Sequence, residues 1–227
     1  MLWPRHIICL PNSSNRVSQI FSQGYCSGFG IFGRYSTLYE IKLCELDISI
    51  PLGKGVGRIQ IEPKQDLIVD VFVTHTIADG SESVIGNNTW HRIKQVEELM
   101  EKHVRTSKAD AIILGGDFNF PPNPIKNHPY EIILREMKNS ATESLQNWQS
   151  DKFATYGNPK NSYSFMEPPM IADYIFLKSN NPQTFVQVQS FELPNLQTIV
   201  HKNHKLQYIS LSDHEPVLAK IHIMQEK

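Results

Sequence analysis

Hydrophobic residues along this chain fall into two spacings. The stretch "DLIVDVFVTHT" from Asp66 to Thr76 is a run of β-branched and apolar residues that predicts a buried strand. "GKGVGRIQIE" (53–62) predicts a strand entered through glycines, and "GIFGRYSTLYEIKLCELDISI" (30–50) a strand, a turn and a second strand. The spacing changes at Trp90. Ile93, Val96, Leu99, Met100 and Val104 recur at helical intervals with Lys, Glu and Gln between them, which predicts a helix from Trp90 to Val104 with Asn88 or Thr89 as N-cap. "DAIILGGDFN" (110–119) reads as a strand running into a loop, and "YEIILREM" (130–137) as a short helix. "ADYIFLKS" (172–179) and "TFVQVQSFEL" (184–193) read as strands around an Asn-Asn-Pro turn, and "HEPVLAKIHIM" (214–224) as a closing strand. Strands outnumber helices and helices separate some of them, so the pattern predicts an α/β layered sandwich.

Length and composition narrow the class. The chain has 227 residues, 40% hydrophobic and 20% charged, enough for one domain with a sizeable core. Formal net charge is -1 and the sequence pI about 6.8, so no overall basic balance points to nucleic acid. Cys9, Cys26 and Cys44 form no C-x-x-C pair, an odd count that fits a reducing compartment. "MLWPRHIICL" is a poor signal peptide, and no apolar run reaches membrane-spanning length. A soluble intracellular protein is expected, one still able to touch a membrane surface.

Polar residues recur where apolar strands stop. His75 follows "IVDVFVT", Asp117 and Asn119 follow "AIILGG", Asp173 opens "DYIFLK", and Asp213 and His214 precede "EPVLAKI". Each has an ordinary alternative. Asp-x-Asn after Gly-Gly is a common turn, a lone His is usually structural, and Ser-Asp-His alone is a weak signal. Four polar rims in succession are harder to assign to turns. These residue types suit phosphodiester hydrolysis. An anionic diester repels hydroxide, so it needs cationic or N–H donors for its charge and a base for the water. Carboxylates can hold a hard ion such as Mg²⁺, and an Asp beside a His fixes its tautomer.

The order Thr-His, Gly-Asp-Phe-Asn, Asp-Tyr-Ile-Phe and Ser-Asp-His-Glu-Pro-Val resembles the endonuclease/exonuclease/phosphatase superfamily, whose fold is that of deoxyribonuclease I. Within it the chain is most similar to neutral sphingomyelinases, through "FSQGYCSGFGIFGRY" (21–35), "GKGVGRIQI" (53–61) and "TYGNPKNSYS" (155–164). The resemblance covers about residues 20 to 223. It implies a four-layered sandwich of two mixed or antiparallel sheets flanked by helices, with residues 21–227 as the catalytic domain and 1–20 unassigned. It implies that Asp117 orients and deprotonates the attacking water and that Asn119 places the phosphate or a metal. His75 would donate to a phosphate oxygen, and Asp173 would hold a catalytic histidine. His214 would complete the centre as acid/base or phosphate ligand, with Lys160 and Asn161 at the phosphate or head group. Mg²⁺ would be the cofactor, held by Asp213, Asp117 and Asn119. Sphingomyelin in a membrane surface would be the partner, with no nucleic acid expected.

Two departures bear on activity. Family members carry an asparagine and a metal-binding glutamate upstream of the segment that begins here at Phe21, whereas residues 1–39 hold no Asp or Glu. A first strand-helix-strand unit is therefore expected to be missing, and Mg²⁺ binding and turnover to be weak. Ile171 stands where the superfamily usually has arginine two residues before the Asp-Tyr pair. Two other readings stay open: another phosphodiesterase or phosphatase of the same fold, nuclease-like, and an inactive or lipid-binding remnant.

Overall fold

Alternating burial along β-branched runs organises this computed structural model, which describes residues 7–10, 30–33, 44–45, 55–78, 88–122, 126–144, 151–164, 166–194, 197–202, 205–210 and 212–226. The strands are β1 (Ile7–Leu10), β2 (Gly30–Gly33), β3 (Cys44–Glu45), β4 (Gly55–Lys64), β5 (Leu67–His75), β6 (Ala111–Asp117), β7 (Lys138–Asn139), β8 (Asp173–Ser179), β9 (Thr184–Glu192), β10 (Gln197–Lys202), β11 (Lys205–Ser210) and β12 (Leu218–Gln225). The α-helices are α1 (Thr89–Leu99), α2 (Pro129–Leu134) and α3 (Ser140–Ser144), and α1 continues as a π-helical turn over Met100–Val104.

Among the described residues the central sheet has the order β3-β4-β5-β6-β8-β7. It is mixed: β5 and β6 run parallel, while β4 with β5 and β6 with β8 run antiparallel. Successive side chains in a strand point to opposite faces, and both faces of this sheet are covered. Val69, Val71 and Val73 of β5, Ile113 of β6 and Leu177 of β8 pack with Val188 of β9 and with Val186, Ile221 and Ile223. The antiparallel pair β9–β12 thus forms a second layer on that face. Phe72, Ile112, Leu114, Tyr174 and Phe176 face the other way, onto Val96, Leu99, Met100 and Val104 and onto Tyr130 and Ile133 of α2. Double coverage explains why β5 and β6 read as continuous apolar runs rather than half-polar ones. The fold is the α/β sandwich with mixed and antiparallel sheets that the sequence predicts.

Three local differences have physical causes. Asn88 is the N-cap of α1, but its side chain makes no cap bond. Its Nδ2 instead donates to the Ala78 carbonyl at 2.6 Å. The last strand starts at Leu218, not His214, because residues 212–217 form a loop in which His214 makes a single bridge to Tyr156. The hairpin β10–β11 was not signalled by periodicity. The predicted strands within 30–50 are described at Gly30–Gly33 and Cys44–Glu45, and their remainder lies outside the described residues, as does most of 1–20. Ile171 is buried with the helix-side core.

Candidate active site

Strand register assembles the site. His75 is the partner of Asp117 across β5–β6, and Asp117 is the partner of Asp173 across β6–β8. All three sit at odd positions of their strands, the parity of the face that β9 and β12 cover. Neighbouring strands lie about 4.8 Å apart, so residues paired in register stand side by side. The four polar rims come from two packed sheets. Three come from adjacent strands of one sheet, and Asp213 and His214 come from the loop before β12.

Gly116 makes this possible. Its φ is +146°, and a Cβ there would lie 1.9 Å from the Thr74 carbonyl oxygen. The chain then turns sharply. Asn119 has φ +49°, its N–H donates to Asp117 Oδ1 at 3.0 Å, and its Nδ2 donates to the Thr76 carbonyl at 2.9 Å. The turn chemistry expected of Asp-x-Asn is therefore present, and it also orients the Asp117 carboxylate. Thr76 N–H donates to the Asp117 carbonyl at 3.0 Å, and Phe118 N–H to the Ala172 carbonyl at 2.8 Å.

Two imidazoles converge on the other oxygen of Asp117. His75 Nε2 lies 3.3 Å from Asp117 Oδ2, and His214 Nε2 lies 3.7 Å from it. His214 is fixed from behind, its Nδ1 2.7 Å from Asp173 Oδ2. His75, Asp117 and Asp173 are buried, at 4%, 2% and 7% exposure, so the carboxylate charges are little screened by water. Burial pulls the His214 pKa down, but the Asp173 charge and hydrogen bond, then Asp117 and Asp213, outweigh it and raise it from 6.5 to about 9. At neutral pH the ring is an imidazolium that donates through Nδ1 to Asp173.

A stability prediction follows from that raised pKa. The unfolded chain releases this proton near 6.5 and the folded chain near 9. The stabilisation is fully present below 6.5 and is lost as pH rises through 9, an effect of about 3 kcal/mol. Urea unfolding in metal-free buffer between pH 6 and pH 10 measures it, and Asp173→Asn is expected to remove most of the slope. A slope unchanged in that variant would contradict the pairing.

The donor atoms of Asp117, Asp173 and His214 lie within 4.8 Å of one another, a group of a size to hold a metal ion. Through its carboxylates it fits a hard divalent ion, which prefers oxygen, whereas the ring nitrogen does not. Asp213 is outside that group; its Oδ1 accepts from Ser212 Oγ at 3.2 Å. Lys160 is exposed. Asn161 is 1% exposed, and its amide bonds within the chain.

Sequence reasoning missed the supports. Gln95 and Arg92 are buried on α1. Gln95 Oε1 accepts from Ile77 N–H at 2.9 Å, and Arg92 Nη1 donates to the Ile77 carbonyl at 3.2 Å, which holds the chain just beyond His75. Tyr174 OH donates to the Phe120 carbonyl at 2.8 Å, with the Ile171 carbonyl at 2.9 Å. The available signal was a polar pair three apart on the helix, Arg92 and Gln95, next to the apolar stripe.

No protein-family model matches the chain, and no curated protein matches it. Solved structures do. A Bacteroides thetaiotaomicron mannosyl-6-phosphatase aligns with TM-score 0.63 at 15% identity over 91% of this chain and 77% of its own. An endonuclease/exonuclease/phosphatase family protein of the same organism aligns with TM-score 0.64 at 14% identity over 92% and 76%. A Staphylococcus aureus beta toxin variant with bound magnesium ions aligns with TM-score 0.57 at 20% identity over 95% and 72%. The chain spans between 66% and 77% of the length of the first such structures. At these identities the likeness is one of fold. The chain has the deoxyribonuclease I-like fold of endonuclease/exonuclease/phosphatase proteins. Among the described residues no helix is long and apolar enough to cross a membrane.

Proposed function

We propose that the chain is a Mg²⁺-assisted phosphodiesterase that hydrolyses sphingomyelin at a membrane surface, giving ceramide and phosphocholine. One observation carries the reaction class: His75, Asp117 and Asp173 stand in register on three strand ends, with His214 held by Asp173 beside them. The substrate rests on the sequence resemblance of residues 21–35, 53–61 and 155–164. Tyr163 and Met166, 62% and 83% exposed beside Lys160, would suit a lipid interface.

Asp117 is the group to take the proton of the attacking water. With Oδ1 fixed by the Asn119 N–H, Oδ2 is the oxygen that water would approach. His75 and His214 flank that oxygen, where the non-bridging phosphoryl oxygens bring acceptors. Asp173 keeps the His214 ring oriented and cationic, so charge developing on the phosphate meets a fixed partner with no reorganisation. His214 also holds a proton at pH 7 to give to the departing ceramide oxygen. Asp117 and Asp173 are the carboxylates that would hold Mg²⁺, which would add positive charge at the phosphate and make a water more acidic; Asp213 and Asn119, the other metal residues implied by the resemblance, are not in that group.

A second reading, a lipid-binding remnant, is kept by one observation: residues 1–39 hold no Asp or Glu. A hard dication with fewer carboxylates loses charge compensation, so weak Mg²⁺ binding and slow turnover are expected. The test is phosphocholine release from sphingomyelin vesicles with Mg²⁺ and with chelator, beside a sugar phosphate monoester and duplex DNA. Slow, Mg²⁺-dependent release from vesicles alone is expected. Cleavage of the monoester or DNA in preference would transfer the proposal to another enzyme of this fold. Vesicle binding without release would favour the remnant.

A further inference from the structure

The segment 154–164 touches both halves of the site. Thr155 Oγ1 accepts the N–H groups of Ala172 and Asp173 at 3.0 and 3.1 Å, and the Thr155 carbonyl accepts Glu215 N–H at 2.7 Å. Tyr156 bridges both Met170 and His214, and its ring centroid lies 4.9 Å from that of His214. Asn161 stands at the end of this segment. Its Oδ1 accepts from Tyr163 N–H at 2.9 Å and Ser164 N–H at 3.3 Å. Its Nδ2 donates to the Ser212 carbonyl at 3.0 Å and to Glu215 Oε1 at 3.2 Å. A primary amide has two N–H donors and one oxygen with two lone pairs, and here all are used inside the chain. Ser164 Oγ adds a donation to the Asp213 carbonyl at 2.7 Å. The loop is therefore held at residues 212, 213 and 215, on both sides of His214.

We infer that Asn161 is a positioning residue that fixes residues 212–215, and so the place of the His214 ring beside Asp117, without touching substrate. The inference rests on the reading that His214 acts at a phosphate. It differs from a head-group role for Asn161 in what the amide has left to offer. A phosphate could be met only by breaking a buried hydrogen bond.

The test exchanges donor for acceptor. Asn161→Asp keeps an oxygen for Tyr163 and Ser164 but sets a carboxylate against the Ser212 carbonyl and the Glu215 carboxylate. Displacing a reacting group by about 1 Å can cost about 10²-fold, so kcat is expected to fall roughly 10- to 100-fold with KM little changed. Adding Glu215→Gln supplies an amide donor to the new carboxylate and is expected to recover most of kcat. A residue that binds the head group would raise KM and would not be rescued. A second readout needs no substrate: the far-downfield proton resonance of the imidazole N–H bonded to Asp173, assigned by its loss in Asp173→Asn. It should weaken in Asn161→Asp and return in the double variant. A wild-type chain that hydrolyses nothing while this resonance follows Asn161 would overturn the proposed function and leave the positioning role standing. An unchanged resonance and an unchanged kcat in Asn161→Asp would overturn the positioning role. Should Asn161→Asp fail to fold, Ser164→Ala removes the hydrogen bond to the Asp213 carbonyl, together with the acceptor of Gly157 N–H at 3.3 Å, and is expected to shift both readouts the same way, more weakly; no shift would overturn the inference.

Discussion

Replacing Asp117 by asparagine is expected to lower phosphocholine release by about 10²- to 10⁴-fold while the protein stays folded, because a positioned base and its charge are lost from the transition state. Asparagine has the same shape, and its oxygen can still accept the Asn119 N–H that Asp117 Oδ1 accepts at 3.0 Å. The backbone bonds on either side, Thr76 N–H to the Asp117 carbonyl and Phe118 N–H to the Ala172 carbonyl, do not involve the side chain. What disappears is the negative charge beside His75 and His214 and, in the proposed mechanism, the atom that would take a proton from water. The loss should fall on kcat rather than KM. Thermal unfolding and kinetics measured together check this. A variant that unfolds but retains its rate per folded molecule would make the Asp-x-Asn turn, and not chemistry, the reason for these residues.

Gly116→Ala is the substitution expected to cost most in stability, at least about 3 kcal/mol. Its φ of +146° is one that L side chains rarely adopt, and its Cβ would lie 1.9 Å from backbone oxygen, not from a movable side chain. The backbone cannot easily retreat, because β6 lies between β5 and β8 in the centre of the sheet. In a chain of this size the thermal midpoint should drop by roughly 6–12 °C. A drop under about 1 kcal/mol in urea unfolding would mean that the β5–β6 spacing yields at the site. The expected result ties site and fold together: the glycine that admits the close strand approach also sets Asp117 against His75.

Much of this arrangement was legible in residue order. The runs at 66–76, 110–119 and 172–179 become β5, β6 and β8, since β-branched residues covered on both faces leave an uninterrupted apolar signal. His75, Asp117 and Asp173 were legible as strand ends. That they share one sheet and one face was not, because register is a property of pairing and not of any single strand. The Asp173–His214 bond spans 41 residues of sequence, and no local pattern encodes it. The family resemblance implies Asn161 at the phosphate or head group, and nothing in its local sequence signals that its side chain is buried against residues 212–215. Arg92 and Gln95 looked like the polar face of a helix; each is buried because it satisfies a backbone group of Ile77. Polar residues that serve the backbone look the same in sequence as polar residues that face water.

The central claim is that water, handled by Asp117 between two imidazoles, attacks phosphorus in a membrane phosphodiester. The most direct measurement is hydrolysis of sphingomyelin vesicles by this chain in ¹⁸O-labelled water with Mg²⁺, with the products weighed by mass spectrometry. Attack at phosphorus breaks the bond from phosphorus to the ceramide oxygen, which takes up a proton, and puts the label in phosphocholine. The account predicts labelled phosphocholine and unlabelled ceramide, with release of both lowered about 10²- to 10⁴-fold in Asp117→Asn. Label in the ceramide, or equal release by that variant, would contradict it.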